Sequence, residues 1–263
     1  MYTDLHCHLL PGIDDGSKAM DQSLAMARLA VADGIHRTVV TPHHLNGVYD
    51  NPAEFIHRQL DQLSAALKED GIELELLPGA ELHLVPELPQ QLEDGRALTI
   101  GNRGRAALVE LPVHHIPVSA EEILDHLLAM GLTPVIAHPE RNSHLRKQPD
   151  ILAEWVAMGC LSQVTAQSCT GLFGRDVQHA AHDLISRGLV HVIASDAHRD
   201  RRRVPQLSAG QAQLAEWFGE TLAERLAVDW PNALADGATP DVRELDDLLE
   251  EPERPWWKRW LGR

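Results

Sequence analysis

The chain has 263 residues, 44% of them hydrophobic and 24% charged, with a formal net charge of −16 at pH 7. This length allows one large α/β domain or two small ones with a sizeable core, and the acidity argues against a protein that holds nucleic acid by neutralising phosphates. Three cysteines (Cys7, Cys160, Cys169) without C-x-x-C spacing offer no disulfide framework, no apolar run is long enough for a bilayer, and the N-terminus enters a strand pattern directly, so a cytoplasmic protein is expected.

Short apolar runs alternate with segments of helical period. Strands are predicted at 2–6, 37–41, 73–77, 106–111, 133–137, 161–164 and 190–194, with helices at 19–32, 53–68, 120–130, 149–157 and 175–186. Gly34, Gly71, Gly131, Gly159 and Gly188 each close a helix, where a C-terminal cap wants positive φ. Strand, helix, glycine, strand, repeated about seven times, predicts a parallel α/β fold, and periodicity alone does not choose between an open sheet and a barrel. Residues 46–51 read as a turn-rich loop and 84–104 as an irregular insertion. Helices at 207–218 and 220–228 precede an acidic segment from 229 and a final PWWKRWLGR. The expected division is a domain over 1–228 and a C-terminal segment over 229–263.

Candidate ligands gather where the strands end. His6 and His8, two apart on a strand, share a face, and Asp14 and Asp15 follow a Pro-Gly break. Taken alone, this pattern fits a divalent metal and a buried strand with stray histidines equally well. Later strands end in TPHH (His43, His44), AEL (Glu81), VELP (Glu110), HPER (His138, Glu140, Arg141) and SDAH (Asp196, His198). Six strand ends that each deliver a His, Asp or Glu to the C-terminal edge of a parallel fold point to a metal centre. Its candidate ligands are His6, His8, Asp15, His43, Glu81, Glu110, His138, Asp196 and His198. Histidines at 36, 57, 83, 114, 115, 126, 179, 182 and 191 fall off the strand ends and read as ordinary. Glu140 reads as a solvated or structural carboxylate.

The motifs HCH, DDG, TPHH, AEL, VELP, HPER and SDAH, in this order, resemble the polymerase-and-histidinol-phosphatase (PHP) superfamily, and within it the bacterial tyrosine-phosphatase branch of the CpsB/CapC/YwqE type. The resemblance spans about residues 1–205 and takes in QVTAQSCTGLFGR; the end of the chain is weakly matched. It implies a distorted (β/α)7 barrel with three divalent metal ions, manganese with iron or zinc as alternatives, that hydrolyses protein phosphotyrosine. It further implies that His6, His8, Glu81 and Asp196 hold one ion. A second ion would share Glu81 and add Glu110 and His138, and a third would take Asp15, His43 and His198. Four ligand carboxylates against three divalent ions leave positive charge for a phosphate dianion.

The expected chemistry is direct attack by a metal-activated water in line with the tyrosyl oxygen. Arg141 and an arginine near Arg203 would clamp the phosphate. The run RDRRR leaves Arg199, Arg201 and Arg202 as alternatives to Arg203, and it lacks the asparagine usual after the motif histidine. His44 is the candidate proton donor, although a phenol needs little such help. A rival with the same substrate is the C-x5-R spacing of Cys169 and Arg175; here the plainer reading, a small buried cysteine in a loop shaped by Gly171 and Gly174, is favoured. The superfamily also holds histidinol phosphatases and nuclease-like domains, so a small phosphoester such as histidinol phosphate is the alternative substrate. The resemblance implies a membrane-bound tyrosine kinase of capsular or exopolysaccharide assembly as partner, and no nucleic acid. The tail, with Trp256, Trp257 and Trp260, fits a membrane-surface anchor, a docking strip for a partner or for another copy in a homo-oligomer, or a flexible end.

Overall fold

The computed structural model describes residues 1–250. Among the described residues, nine strands, all parallel where they pair, fall into two sheets. β1 (Tyr2–Cys7), β2 (Ile35–Val40) and β4 (Glu75–Pro78) form one, in the order β1-β2-β4. The other contains β3 (His43–His44), β5 (Glu81–His83), β6 (Ala106–Glu110), β7 (Thr133–Ala137), β8 (Leu161–Thr165) and β9 (Val192–Ala194), in the order β3-β5-β6-β7-β8-β9. The predicted second and third strands are each broken in two. Pro42 has no N–H to continue a ladder, though its carbonyl still accepts from the Glu81 N–H at 3.1 Å. At Gly79 the backbone passes so close to β2 that an added Cβ would lie 2.6 Å from Val39 Cγ1.

With each broken pair counted as one position, the strands form a ring of seven. It closes between β9 and β1 through a single bridge, Cys7 to Ala197, rather than a full ladder. The Asp196 N–H donates to the His6 carbonyl (2.8 Å) and the His8 N–H to that of Ala197 (2.9 Å). Below them, the buried Asp4 carboxylate accepts from the Ser195 N–H (2.9 Å) and hydroxyl (2.5 Å). This is the expected (β/α)7 arrangement, distorted at the broken strands and at the closing seam.

Between the strands run α1 (Met20–Ala32), α2 (Ala53–Glu69), α3 (Leu88–Glu93), α4 (Ala120–Ala129), α5 (Pro149–Met158), α6 (Ala166–Cys169) and α7 (Arg175–Ser186). Each long helix buries one stripe, as α7 does with Val177, Ala181, Leu184 and Ile185. Strands enclosed by such helices on one side and by the ring interior on the other are buried on both faces; every residue of β8 is buried, the polar Ser162, Gln163 and Thr165 included. All five glycines expected to close helices have positive φ. The segment 84–104, expected to be irregular, contains α3, with Pro89 in its first turn where a missing N–H costs nothing.

After β9 come α8 (Ser208–Phe218), α9 (Glu220–Glu224), a π-helical turn (Arg225–Asp229), α10 (Trp230–Ala235) and α11 (Glu244–Glu250). The core continues past residue 228: Trp230, Leu234 and Ala235 are buried, and Asn232 Oδ1 accepts from the Thr3 hydroxyl of β1 at 2.5 Å. No helix among the described residues is long and apolar enough to cross a membrane. Trp256, Trp257 and Trp260 lie outside the described residues.

Candidate metal centre and phosphate cleft

Because the strands are parallel, their C-terminal ends share one rim, and all nine expected ligands meet there. They fall into overlapping groups whose ligand atoms lie within 4.8 Å of one another: His8, Asp15, His43 and His198; His6, His8 and Glu81; His6, His138 and Asp196; His43, Glu81 and Glu110. The grouping differs in detail from the one implied by resemblance, since His43 also meets Glu81 and Glu110, and His138 meets His6 and Asp196. His138 and Asp196 sit at positive φ, 35° and 48°. Non-glycine residues pay for that conformation and hold it where the surrounding structure demands it, typically at functional sites.

Hydrogen bonds fix how the rings present themselves. His6 Nδ1–H donates to Gln163 Oε1 and His8 Nδ1–H to Asp14 Oδ2, both at 2.8 Å. Each ring then turns its Nε2 inward, where the two Nε2 atoms stand 3.1 Å apart. Glu81 accepts from His138 Nε2 at 2.8 Å through Oε1. Its Oε2 makes no hydrogen bond although it lies 3.3 Å from His6 Nε2, 3.3 Å from His8 Nε2 and 3.0 Å from His43 Nδ1. Asp15 Oδ1, His43 Nδ1 and Asp196 Oδ1 are likewise buried without hydrogen-bond partners. Lone pairs crowded in this way and lacking donors are the chemistry of a cation site: imidazole nitrogens and carboxylate oxygens suit divalent transition ions, and the donor set fits them.

The charge balance agrees. Burial alone would raise Glu81 and Asp196; His6 and His43 around the first, and Arg141, His6 and Arg203 around the second, hold both well below the usual carboxylate range. Burial opposes a charge on His43 too, but Glu81 and Asp15 push it up to about 10. His198, buried and beside His8, is pushed down to about 4. The two carboxylates are therefore held in the ionised form in which they bind a cation.

Above these groups opens a cleft of about 250 Å³ lined also by Leu111, Val113, Arg141, Phe173 and Arg203. Arg141 Nη2 and Arg203 Nη2 both reach Asp196 Oδ2, at 2.6 and 2.5 Å. Within RDRRR the cleft arginine is thus Arg203. Arg201 and Arg202 are exposed, and Arg199 donates instead to the carbonyls of Asp15, Gly16 and His198, pinning the DDG turn. Gly16 is needed for close approach: a Cβ there would lie 2.3 Å from the His8 carbonyl oxygen.

His44, the expected proton donor, does not face the cleft. Alternation on β3 turns it the other way, where its Nδ1 lies 3.2 Å from Asp50 Oδ1 in a separate pocket. Glu140 is structural: fully buried, it accepts from the Thr165 N–H (3.1 Å) and the Ser168 hydroxyl (2.6 Å). Cys169 is fully buried and its thiol is pushed up by burial and by Glu140, the opposite of an activated nucleophile. Sequence reasoning passed over Asp14 and Gln163. The signal for Asp14 was its place beside Asp15, close after an imidazole that needs an acceptor; a neutral amide inside a strand, such as Gln163, carries no comparable signal.

The profile of the family "Capsular polysaccharide synthesis, CpsB/CapC" matches residues 2–236. The chain is 38% identical to the tyrosine-protein phosphatase YwqE of Bacillus subtilis (strain 168), over 98% of each chain. It is 30% identical to the tyrosine-protein phosphatase CpsB of Streptococcus pneumoniae, over 88% of this chain and 97% of that one. A solved structure from the work on YwqE and CpsB, described as unique metal-dependent tyrosine phosphatases, superposes with a TM-score of 0.87 at 36% identity, covering 90% of this chain and 95% of that one. The chain belongs to the CpsB/CapC family of capsular polysaccharide synthesis.

Proposed function

We propose that this protein is a metal-dependent protein-tyrosine phosphatase acting on a tyrosine kinase of capsular or exopolysaccharide assembly. The observation that carries the reading is the set of buried, unpartnered ligand atoms beneath a cleft walled by two arginines, in a chain that spans nearly the whole length of tyrosine-phosphatase relatives. His6, His8, Asp15, His43, Glu81, Glu110, His138, Asp196 and His198 would hold the ions, three in number, with manganese the expected metal. Divalent ions there would supply Lewis acidity toward the phosphate oxygens and the attacking water.

The protein's own groups do the rest. Gln163 and Asp14 fix the tautomers of His6 and His8, so that each ring presents a lone pair inward. Arg141 and Arg203 carry the charge to bind the non-bridging oxygens of the phosphate, and they are already gathered on one side of the cleft. Leu111 and Val113 give that cleft an apolar wall that suits an aryl group. A phenol, with a pKa of about 10, leaves without strong proton donation, which fits a cleft that His44 does not face. The test is a panel of phosphotyrosine peptide, histidinol phosphate and an oligonucleotide, run after chelation and after manganese is restored. Fast, metal-restored hydrolysis of the peptide alone is expected; preference for histidinol phosphate would replace the reading.

A further inference from the structure

The stretch from Cys169 to Arg175 is not a nucleophile loop, but its form is specific. After α6, the Gly171 N–H donates to the Ser168 carbonyl (3.2 Å), that of Leu172 to Gln167 (3.0 Å) and that of Gly174 to Gly171 (3.0 Å). Gly171 and Gly174 hold φ of 85° and 93°, which a side chain would resist. The tight loop between them carries Phe173 into the wall of the cleft.

There the ring meets both arginines. Arg141 Cζ lies 5.2 Å from its centroid and Arg203 Cζ 5.8 Å. The two guanidiniums come from distant parts of the chain, one after β7 and one after β9, and they converge on a single carboxylate oxygen. Like charges so close repel one another, and an aromatic ring offers each a negative surface that lowers the cost. Arg141 Nε and Arg203 Nε are both buried without a hydrogen-bond partner. Those unused donors await an acceptor.

We infer that Phe173 is a positioning residue: its ring sets the spacing of Arg141 and Arg203 so that together they receive one phosphate group. The inference rests on the phosphatase reading and deepens it by naming what organises the anion clamp. Phe173 touches no reacting atom in this scheme; its effect passes through the two guanidiniums and belongs to binding.

The experiment uses the full, manganese-loaded chain and the variants Phe173→Ala, Phe173→Leu and Phe173→Tyr. Readouts are the KM and kcat for an aryl phosphate, the affinity for inorganic phosphate by calorimetry, and metal content. With two cation–π contacts removed, phosphate affinity and KM should each weaken roughly tenfold in the Ala and Leu variants. Their kcat and metal content should hold, and Tyr should restore affinity. Leu keeps most of the apolar volume, so it separates lost ring electrostatics from lost packing. Phosphate affinity unchanged in the Leu variant, or a loss matched by a fall in metal content, would overturn the inference. Phosphate binding is read without turnover, so a wild type inactive on aryl phosphates would sink the phosphatase reading while still deciding the role of Phe173.

Discussion

Asp14→Asn isolates the support beneath one candidate ligand. Asp14 is 5% exposed and serves three donors: Oδ2 takes His8 Nδ1–H at 2.8 Å and the His43 N–H at a longer 3.3 Å, and Oδ1 takes the Gly16 N–H at 2.8 Å. Asparagine has the same shape but a single carbonyl oxygen, so at least one donor must face an amide NH2. If Gly16 keeps the oxygen, His8 loses its acceptor and its tautomer is no longer fixed; if His8 keeps it, the Gly16 N–H is left unpaired. Either way a bond to a charged group is lost, worth about 1.5–3 kcal/mol, and support lost behind a metal-binding histidine typically weakens affinity about 10–100-fold. Calorimetric titration of the metal-free variant with manganese should show a loss in that range, while Asp21→Asn, on the surface of α1, leaves affinity unchanged. Wild-type affinity in Asp14→Asn would refute the reasoning, since nothing else would then be needed to aim His8.

Three further outcomes are expected. Gly16→Ala should lower metal content and melting temperature together, because its Cβ must push the DDG turn off His8; overpacking of about 1–3 kcal/mol corresponds to a fall of several degrees, and a variant with native melting and full metal would contradict the close approach. His191 is buried and pushed down to about 4, with Nδ1 accepting from the Ser162 N–H, so it stays neutral in the fold while the unfolded chain binds a proton below about 6.5. Its contribution is complete above pH 6.5 and is lost as pH falls toward 4, about 3 kcal/mol in all; denaturant titrations of His191→Gln should show a shallower acid limb, and parallel limbs would count against the assignment. Finally, thiol alkylation of the native protein should spare activity and chelation should abolish it, the reverse pattern restoring Cys169 as nucleophile.

The nine candidate ligands were legible in the chain for a reason that belongs to the fold class. Once strands alternate with crossover helices, the ends of all strands share a rim, so a His, Asp or Glu just past each apolar run is placed without knowing a single distance. Strand alternation likewise paired His6 with His8 and turned Cys7 to the other face. The helix-closing glycines marked the return of each helix, and Cys169 read as a small buried residue rather than a nucleophile, as it is.

Alternation says that His43 and His44 point to opposite sides, but not which side is the inside; the closing of the ring decided that, and His43 took the cleft. Asp14 and Asp15 are equivalent in one dimension, and the tight turn over Gly16 sent one behind His8 and the other toward His43 and His198. Resemblance favoured Arg203 in RDRRR but left Arg199, Arg201 and Arg202 open; backbone geometry after β9, with Arg203 at φ 54°, delivered Arg203 to the cleft and turned Arg199 to carbonyls. Local patterns therefore determined which residue types reach the rim, because period and polarity are properties of neighbours along the chain. Which of them face a common point, and what stands behind each, depended on contacts between residues from different strand ends, such as His6 with Gln163, 157 positions away, and Arg141 with Phe173 and Asp196. Only the folded chain brings those together.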